Sequence, residues 1–311
     1  MSASKHPGKP PQHKSKSATS TRHTGTVIVN YGKNLLVEDE QRQLFRCVAR
    51  RSLGLLVCGD RVEWARTGDT EGVIESCNPR DTVLHRADSN NRLRPLAANI
   101  DRVVIEAATE PALDTFLIDK YLVAAELAGL RPLLVINKAD LLSEEQRHAI
   151  DQMLQIYREA GYTCLFTSAL ENTGIDQFRE QLSNSTSILV GQSGVGKSSL
   201  IKRLLPDQEI AIGKLSEASG LGKHTTTATT LYHLPDGGKL IDSPGVRDFH
   251  LGGVNPEQLG SGFREFHPFL GQCRFNDCLH LSEPDCAISD ALESGRISQQ
   301  RMASYRRLIQ L

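Results

Sequence analysis

Residues Gly191-Gln192-Ser193-Gly194-Val195-Gly196-Lys197-Ser198 fit the pattern G-x-x-x-x-G-K-[ST], following the apolar run Ser187 to Val190 and opening a segment of helical character at Lys197. A strand, a glycine-rich loop and a helix in that order turn successive backbone N–H groups and the positive end of a helix toward one anion, so the loop reads as a phosphate cradle. The glycines allow close approach, Lys197 can reach β- and γ-phosphates, and Ser198, followed by Ser199, offers a hydroxyl to Mg²⁺. A loop of this kind needs a parallel sheet beneath it, which constrains the fold more than any other stretch of the chain.

The surrounding pattern supplies that sheet. From Asn99 onward, strand-like runs (Arg102 to Ile105, Leu133 to Ile136, Cys164 to Thr167, Ser187 to Val190, Thr229 to His233, Lys239 to Ile241) alternate with helical segments at Asp114 to Ala128, about Glu144 to Ala160, and from Lys197. This alternation predicts a parallel α/β domain over 99–259. Upstream, five short apolar runs between Thr26 and Ser76 predict a small β-barrel over 24–98. An oligonucleotide-binding (OB) barrel is the leading candidate, although periodicity alone does not separate it from other five-stranded barrels. Asp88 to Asn99 is polar and reads as a linker, and 260–311 reads as a mainly helical tail ending in a helix from Ser298 to Ile309.

Base specificity comes from Asn137-Lys138-Ala139-Asp140, an N-K-x-D sequence at the end of the strand Leu133 to Ile136. A carboxylate at Asp140 accepts both the ring N1–H and the exocyclic amine of guanine, a pairing adenine cannot reproduce, so the nucleotide is GTP or GDP. Ser168 and Ala169, in Ser168-Ala169-Leu170 after the next strand, fit the element whose backbone meets the guanine oxygen. Asp242-Ser243-Pro244-Gly245 fits D-x-P-G: Asp242 would hold the Mg²⁺ shell through water and the Gly245 N–H would sense the γ-phosphate. Between loop and D-x-P-G, Gly222-Lys223-His224-Thr225-Thr226-Thr227 offers Thr226, or else Thr225, to the Mg²⁺ shell. A glutamine follows the D-x-x-G of Ras-type GTPases, but Val246 stands here and cannot align water, so slow intrinsic turnover is expected. His250 is the candidate substitute, against its reading as a solvated surface histidine.

The base motifs precede the phosphate loop, the reverse of the usual GTPase order, so the domain reads as circularly permuted and Asp242 leads directly into the C-terminal region. That region carries Cys273, Cys278, His280 and Cys286, a Cys₃His set suited to one structural Zn²⁺ with no position left for substrate. With few large apolar residues of its own, the tail is expected to need the metal in order to fold.

The formal net charge of −1 conceals a basic arm. Residues 1–23 hold Lys5, Lys9, Lys14, Lys16 and Arg22 without an acid, leaving the rest at −6. The arm reads as disordered, either solubilising or RNA-contacting. No apolar stretch is long enough to span a membrane, and four of the seven cysteines are scattered, which points to the cytoplasm; a monomer is expected.

The permuted order, G-Q-S-G-V-G-K-S-S, G-K-H-T-T-T, D-S-P-G-V-R-D-F and the Cys-Cys-His-Cys tail closely resemble the RsgA family, also called YjeQ or EngC, across about residues 24 to 311. The resemblance implies an α/β fold with a circularly permuted P-loop GTPase domain, an N-terminal OB-type β-barrel and a C-terminal zinc-binding domain. It also implies binding to the 30S ribosomal subunit and its 16S rRNA, hydrolysis stimulated by that subunit, and a part in late assembly including release of ribosome-binding factor A. The position where some members carry a water-activating histidine holds Gly253. A GTP-gated rRNA-binding scaffold that does not need hydrolysis is the alternative suggested by Val246.

Overall fold

The structure, a computed structural model, describes residues 22–87, 92–207, 228–243 and 255–310. Five strands, β1 (Arg22–Asn30), β2 (Leu35–Glu38), β3 (Leu44–Ala49), β4 (Arg61–Arg66) and β5 (Glu71–Cys77), build the barrel expected from the alternation. β3 runs parallel to β5 and every other pairing is antiparallel, closing the ring β1-β2-β3-β5-β4-β1. This is an OB-type connectivity, which decides among the five-stranded barrels. The core is built on Trp64, 1% exposed and packed among Val27, Val37, Phe45, Val62 and Ile74. A Cβ on Gly72 would strike the Trp64 ring, so this strand position must stay bare. His23 stacks on Trp64 with ring centroids 5.0 Å apart, and β1 therefore starts inside the segment 1–23 read as a free arm.

The expected linker needs correction. Leu93–Ala98 is strand β7, paired antiparallel with β6 (Val83–Ala87). Leu93 and Arg94 of its first half are exposed while Leu96, Ala97 and Ala98 are buried, so averaging over the mostly polar segment hides the strand.

Beyond the hairpin come β8 (Arg102–Ala107), α1 (Thr115–Leu127), β9 (Arg131–Ile136), α2 (Glu144–Glu159), β10 (Thr163–Phe166), α3 (Ile175–Leu182), β11 (Thr186–Val190), α4 (Lys197–Leu204), β12 (Thr230–His233) and β13 (Lys239–Asp242). The strand order is β10-β9-β8-β11-β13-β12; the first five are parallel and β12 is antiparallel to β13. Val103 to Ile105, Leu133 to Ile136 and Ile188 to Val190 are fully buried apolar runs, as a sheet covered on both faces requires. β12 meets β1 at Thr230 and Val29, so barrel and α/β sheet are continuous at their edges, and Ile28, Leu36, Leu84 and Leu96 share the core of the larger sheet.

The C-terminal region has helices Ala287–Glu293 and Gln299–Leu308 and more apolar core than its composition promised. Phe263, Phe266, Ile288, Met302 and Tyr305 cluster against Val123 of α1. Arg301, 1% exposed, donates to Asp119 Oδ1 of α1 at 2.6 Å and to Glu265 Oε1 at 2.5 Å. A buried guanidinium stripped of such partners would cost about 3–5 kcal/mol, so the paired charges hold this region on α1 in one orientation.

Candidate nucleotide and metal sites

The carboxyl ends of five parallel strands bring the sequence motifs to one edge of the sheet. Gly191 follows β11, Asn137 follows β9, Ser168 lies two residues beyond β10, and Asp242 ends β13 beside β11. The loop between β11 and α4 needs its glycines, because Gly191, Gly194 and Gly196 have φ of 147°, 88° and 114°. A Cβ on Gly191 would run into the Glu106 carbonyl oxygen, and one on Gly196 into the Asn137 amide. Ser193, Gly194, Ser198 and Ser199 are exposed along the loop and first helical turn, Gln192 is half-buried and Val195 is buried beneath. Lys197 Nζ donates to the carbonyls of Gly191 at 2.8 Å and Gln192 at 2.6 Å, so its ammonium is already held at the loop.

Asn137 is the hub of the base turn. Its Nδ2 donates to the Val195 carbonyl at 3.1 Å and its Oδ1 accepts from Thr167 Oγ1 at 3.2 Å, which fastens base turn, phosphate loop and the end of β10 together. Lys138 takes the left-handed φ of 60° and donates from Nζ to the Glu110 carbonyl at 2.7 Å. The Ala139 N–H donates to the Thr167 carbonyl, and Ser168 Oγ donates to Asp140 Oδ1 at 2.5 Å, which orients the carboxylate that would read a base. Ala169 packs on the main core, while Leu170 is 82% exposed. Burial raises the Asp242 carboxyl and the Lys197 charge opposes it. The Ser198 hydroxyl and Asp242 carboxylate are hard oxygen donors of the kind Mg²⁺ takes. Thr225, Thr226, Gly245 and His250 lie outside the described residues.

Motif reading missed two contributors here. Thr167 is fully buried against Asn137. Glu106, at the end of β8 and 2% exposed, accepts from Asn137 Nδ2 at 2.9 Å, and burial pushes its carboxyl up to about 7 against the pull of that bond and of Lys197 and Lys138. Its only sequence signal is a charged residue closing the apolar run Val103-Val104-Ile105.

At the other end of the chain, ligand atoms of Cys273, Cys278, His280 and Cys286 lie within 4.8 Å of one another. His280 Nδ1 is 3.4 Å from the Sγ of both Cys273 and Cys286, and those sulfurs are 3.9 Å apart. Tetrahedral zinc with ordinary bond lengths sets sulfur–sulfur edges of about 3.8 Å and sulfur–nitrogen edges of about 3.5 Å, so the donor set fits that ion. Burial lowers His280, keeping its imidazole in the neutral form that ligates. Glu283, also missed from sequence, accepts from the N–H groups of Leu279, Leu281 and Ser282 and so shapes the loop.

The likeness to known proteins follows the same lines. A family model described as RsgA GTPase matches residues 77–252. A small ribosomal subunit biogenesis GTPase RsgA of Haemophilus influenzae is 48% identical over 290 residues, covering 92% of this chain and 84% of that protein. One of the same description from Pseudomonas fluorescens is 50% identical over the same shares. Among solved structures, YjeQ from Thermotoga maritima superposes with a TM-score of 0.77 at 32% identity, covering 93% of this chain and 98% of the other. YloQ, a circularly permuted GTPase, gives 0.74 at 25% identity, covering 96% and 97%. With the base turn ahead of the phosphate loop on one sheet edge, an OB-type barrel before them and a Cys₃His cluster behind, this chain belongs to the RsgA GTPase family, enzymes that hydrolyse GTP.

Proposed function

We propose that this chain binds the 30S ribosomal subunit through its 16S rRNA, hydrolyses GTP slowly on its own and faster on the subunit, and thereby assists late maturation and the release of ribosome-binding factor A. The observation that carries the reading is the convergence of Asn137, Asp140, Ser168, Gly191 to Ser198 and Asp242 on one sheet edge. The subunit as partner is supported by the names of relatives similar over 92% of the chain.

In this reading Gly191 to Ser199 cradle the phosphates, Lys197 balances their charge, and Asn137 to Asp140 with Ser168 and Ala169 read guanine. Ser198, Asp242 and Thr226 or Thr225 would hold Mg²⁺, which when bound spreads the charge developing on the phosphates. Gly245 would report the γ-phosphate and His250 would stand near the attacking water. Cys273, Cys278, His280 and Cys286 would hold Zn²⁺. The division into an arm (1–23), barrel (24–98), GTPase (99–259) and zinc region (260–311), working as a monomer in the cytoplasm, belongs to the same proposal. No helix among the described residues is long and apolar enough to cross a membrane.

The test is GTP turnover with and without purified 30S subunits at two salt concentrations. Stimulation that weakens with salt is expected, because phosphate contacts release counterions. Absence of stimulation by any ribosomal particle would instead favour the GTP-gated scaffold. A second expected result concerns specificity. Asp140→Asn reverses the hydrogen-bond pattern offered to the base, so GTP affinity should fall by about 30- to 1,000-fold while xanthosine triphosphate gains. Competition binding with both nucleotides measures it, and an unchanged preference for GTP would remove Asp140 from base recognition.

A further inference from the structure

Glu106 stands beneath the nucleotide site without belonging to any motif. Asn137 Nδ2 donates to Glu106 Oε1 at 2.9 Å and to the Val195 carbonyl at 3.1 Å, so one amide joins the end of β8 to the phosphate loop. The backbone does the same, since the Glu106 carbonyl lies where a Cβ on Gly191 would be. Glu106 Oε2 is buried and has no hydrogen-bond partner among the described residues. Glu106 also lines a cavity of about 10 Å³ with Asp114, Tyr121 and Gln192, the last a phosphate-loop residue. A space of that size is at the lower limit for one water molecule. A carboxyl so placed, with one oxygen committed and the other unpaired, is a costly feature for which the sheet alone has no use.

We propose that Glu106 is a positioning residue for nucleotide binding: acting through the Asn137 amide it sets the phosphate loop against the base turn, and binding of the nucleotide is coupled to protonation of this one carboxyl. The inference rests on the assignment of 137–140 and 191–198 as the nucleotide site. The charged and titratable groups facing Glu106 are Lys138 from the base turn and Lys197 from the phosphate loop, with Asp114 and Tyr121 of the α1 side across the cavity. The two lysines are what favour the carboxylate, while burial, which pushes it up to about 7, favours the acid. Phosphates that engage Lys197 bring negative charge above the site and cancel its pull, so the bound state holds the proton more tightly than the free state. The sign follows from linkage. Below both pKa values affinity is level, and it falls as pH rises through the free-state value until the bound-state value is passed.

The experiment is calorimetric titration of the full chain with Mg·GDP from about pH 6.5 to about pH 8.5, comparing the native protein with Glu106→Gln and Glu106→Val. Glutamine keeps the acceptor for Asn137 but cannot titrate, so it should bind as tightly as the native protein at low pH. The native protein should lose about three- to tenfold more affinity than this variant across the range, since one proton is worth at most tenfold per pH unit. Valine fills the space without an acceptor and cannot titrate either, so it should bind about tenfold more weakly than the glutamine form at every pH. Parallel pH profiles for native and glutamine forms would overturn the coupling, and a valine form that binds as tightly as the glutamine form would overturn the positioning. Lys197→Ala run alongside separates the two readings: if it keeps full affinity, the nucleotide site is misassigned and this proposal falls with it, whereas its loss with parallel Glu106 profiles sinks the coupling alone.

Discussion

Lys197→Ala is expected to weaken Mg·GTP and Mg·GDP binding by at least about 100-fold while leaving the fold intact. The ammonium already sits at the loop, donating to the Gly191 and Gln192 carbonyls, so no ordering of a long side chain is required when phosphate arrives. Each hydrogen bond from a charged donor is worth about 1.5–3 kcal/mol, and two of them lost from the phosphate oxygens multiply to roughly 100-fold or more. Alanine also leaves two carbonyls facing the ligand with no cation between, which adds repulsion. The substitution lies at the start of α4, where alanine is the better helix former, and thermal stability without nucleotide should change little. Calorimetry with both nucleotides, paired with a melting curve, gives the answer. Undiminished affinity in a folded protein would remove the loop from phosphate binding.

The features legible in sequence were those written in local spacing. The loop glycines declare themselves because three positive φ values admit almost nothing else. The barrel strands show because one face is core and alternate residues point to it, as in Val62, Trp64 and their exposed neighbour Arg61. The hairpin strand β7 escapes notice because Arg94 and Pro95 mimic a linker, and only three consecutive buried residues, Leu96 to Ala98, reveal it. Helix α3 escapes because it is eight residues long and is preceded by Gly174, an N-cap with no side chain to signal it. Glu106, Thr167 and Arg301 belong to a different class. Their partners are 31, 30 and 182 residues away, so no window along the chain contains the pair that gives each its role. The same holds for the tail's apolar core, which is completed by Val123 from another part of the fold.

With Zn²⁺ held as proposed by Cys273, Cys278, His280 and Cys286, its removal should unfold the loop from Cys273 to Cys286 and leave the proposed nucleotide site untouched. Cys286 lies in the apolar cluster with Phe263 and Tyr305, and Cys273 and Cys278 pack at its margin, but no covalent bond joins the four ligands, whose donor atoms lie within 4.8 Å of one another. Zinc binding in small domains is worth about 10–16 kcal/mol at neutral pH, far more than the remaining hydrogen bonds of such a loop, including that from Tyr305 Oη to the Leu279 carbonyl. The helix Gln299–Leu308 stands differently. Phe263, Phe266, Met302 and Tyr305 pack with Val123, and the buried pairs from Arg301 to Asp119 and Glu265 cross to α1 without reference to the metal. Hydrogen exchange after chelation should therefore show protection lost across Cys273 to Cys286 and largely kept in Gln299 to Leu308. Mg·GDP affinity should change less than about twofold, because the core beneath the proposed nucleotide site includes none of these ligands, which pack in a separate cluster. Cys278→Ser should reproduce the exchange pattern and lower the bound zinc. Equal protection with and without metal would show that the four residues hold each other unaided, and loss across the whole region to Leu308 would show that the metal, not the Arg301 pairs, keeps the tail on the GTPase domain.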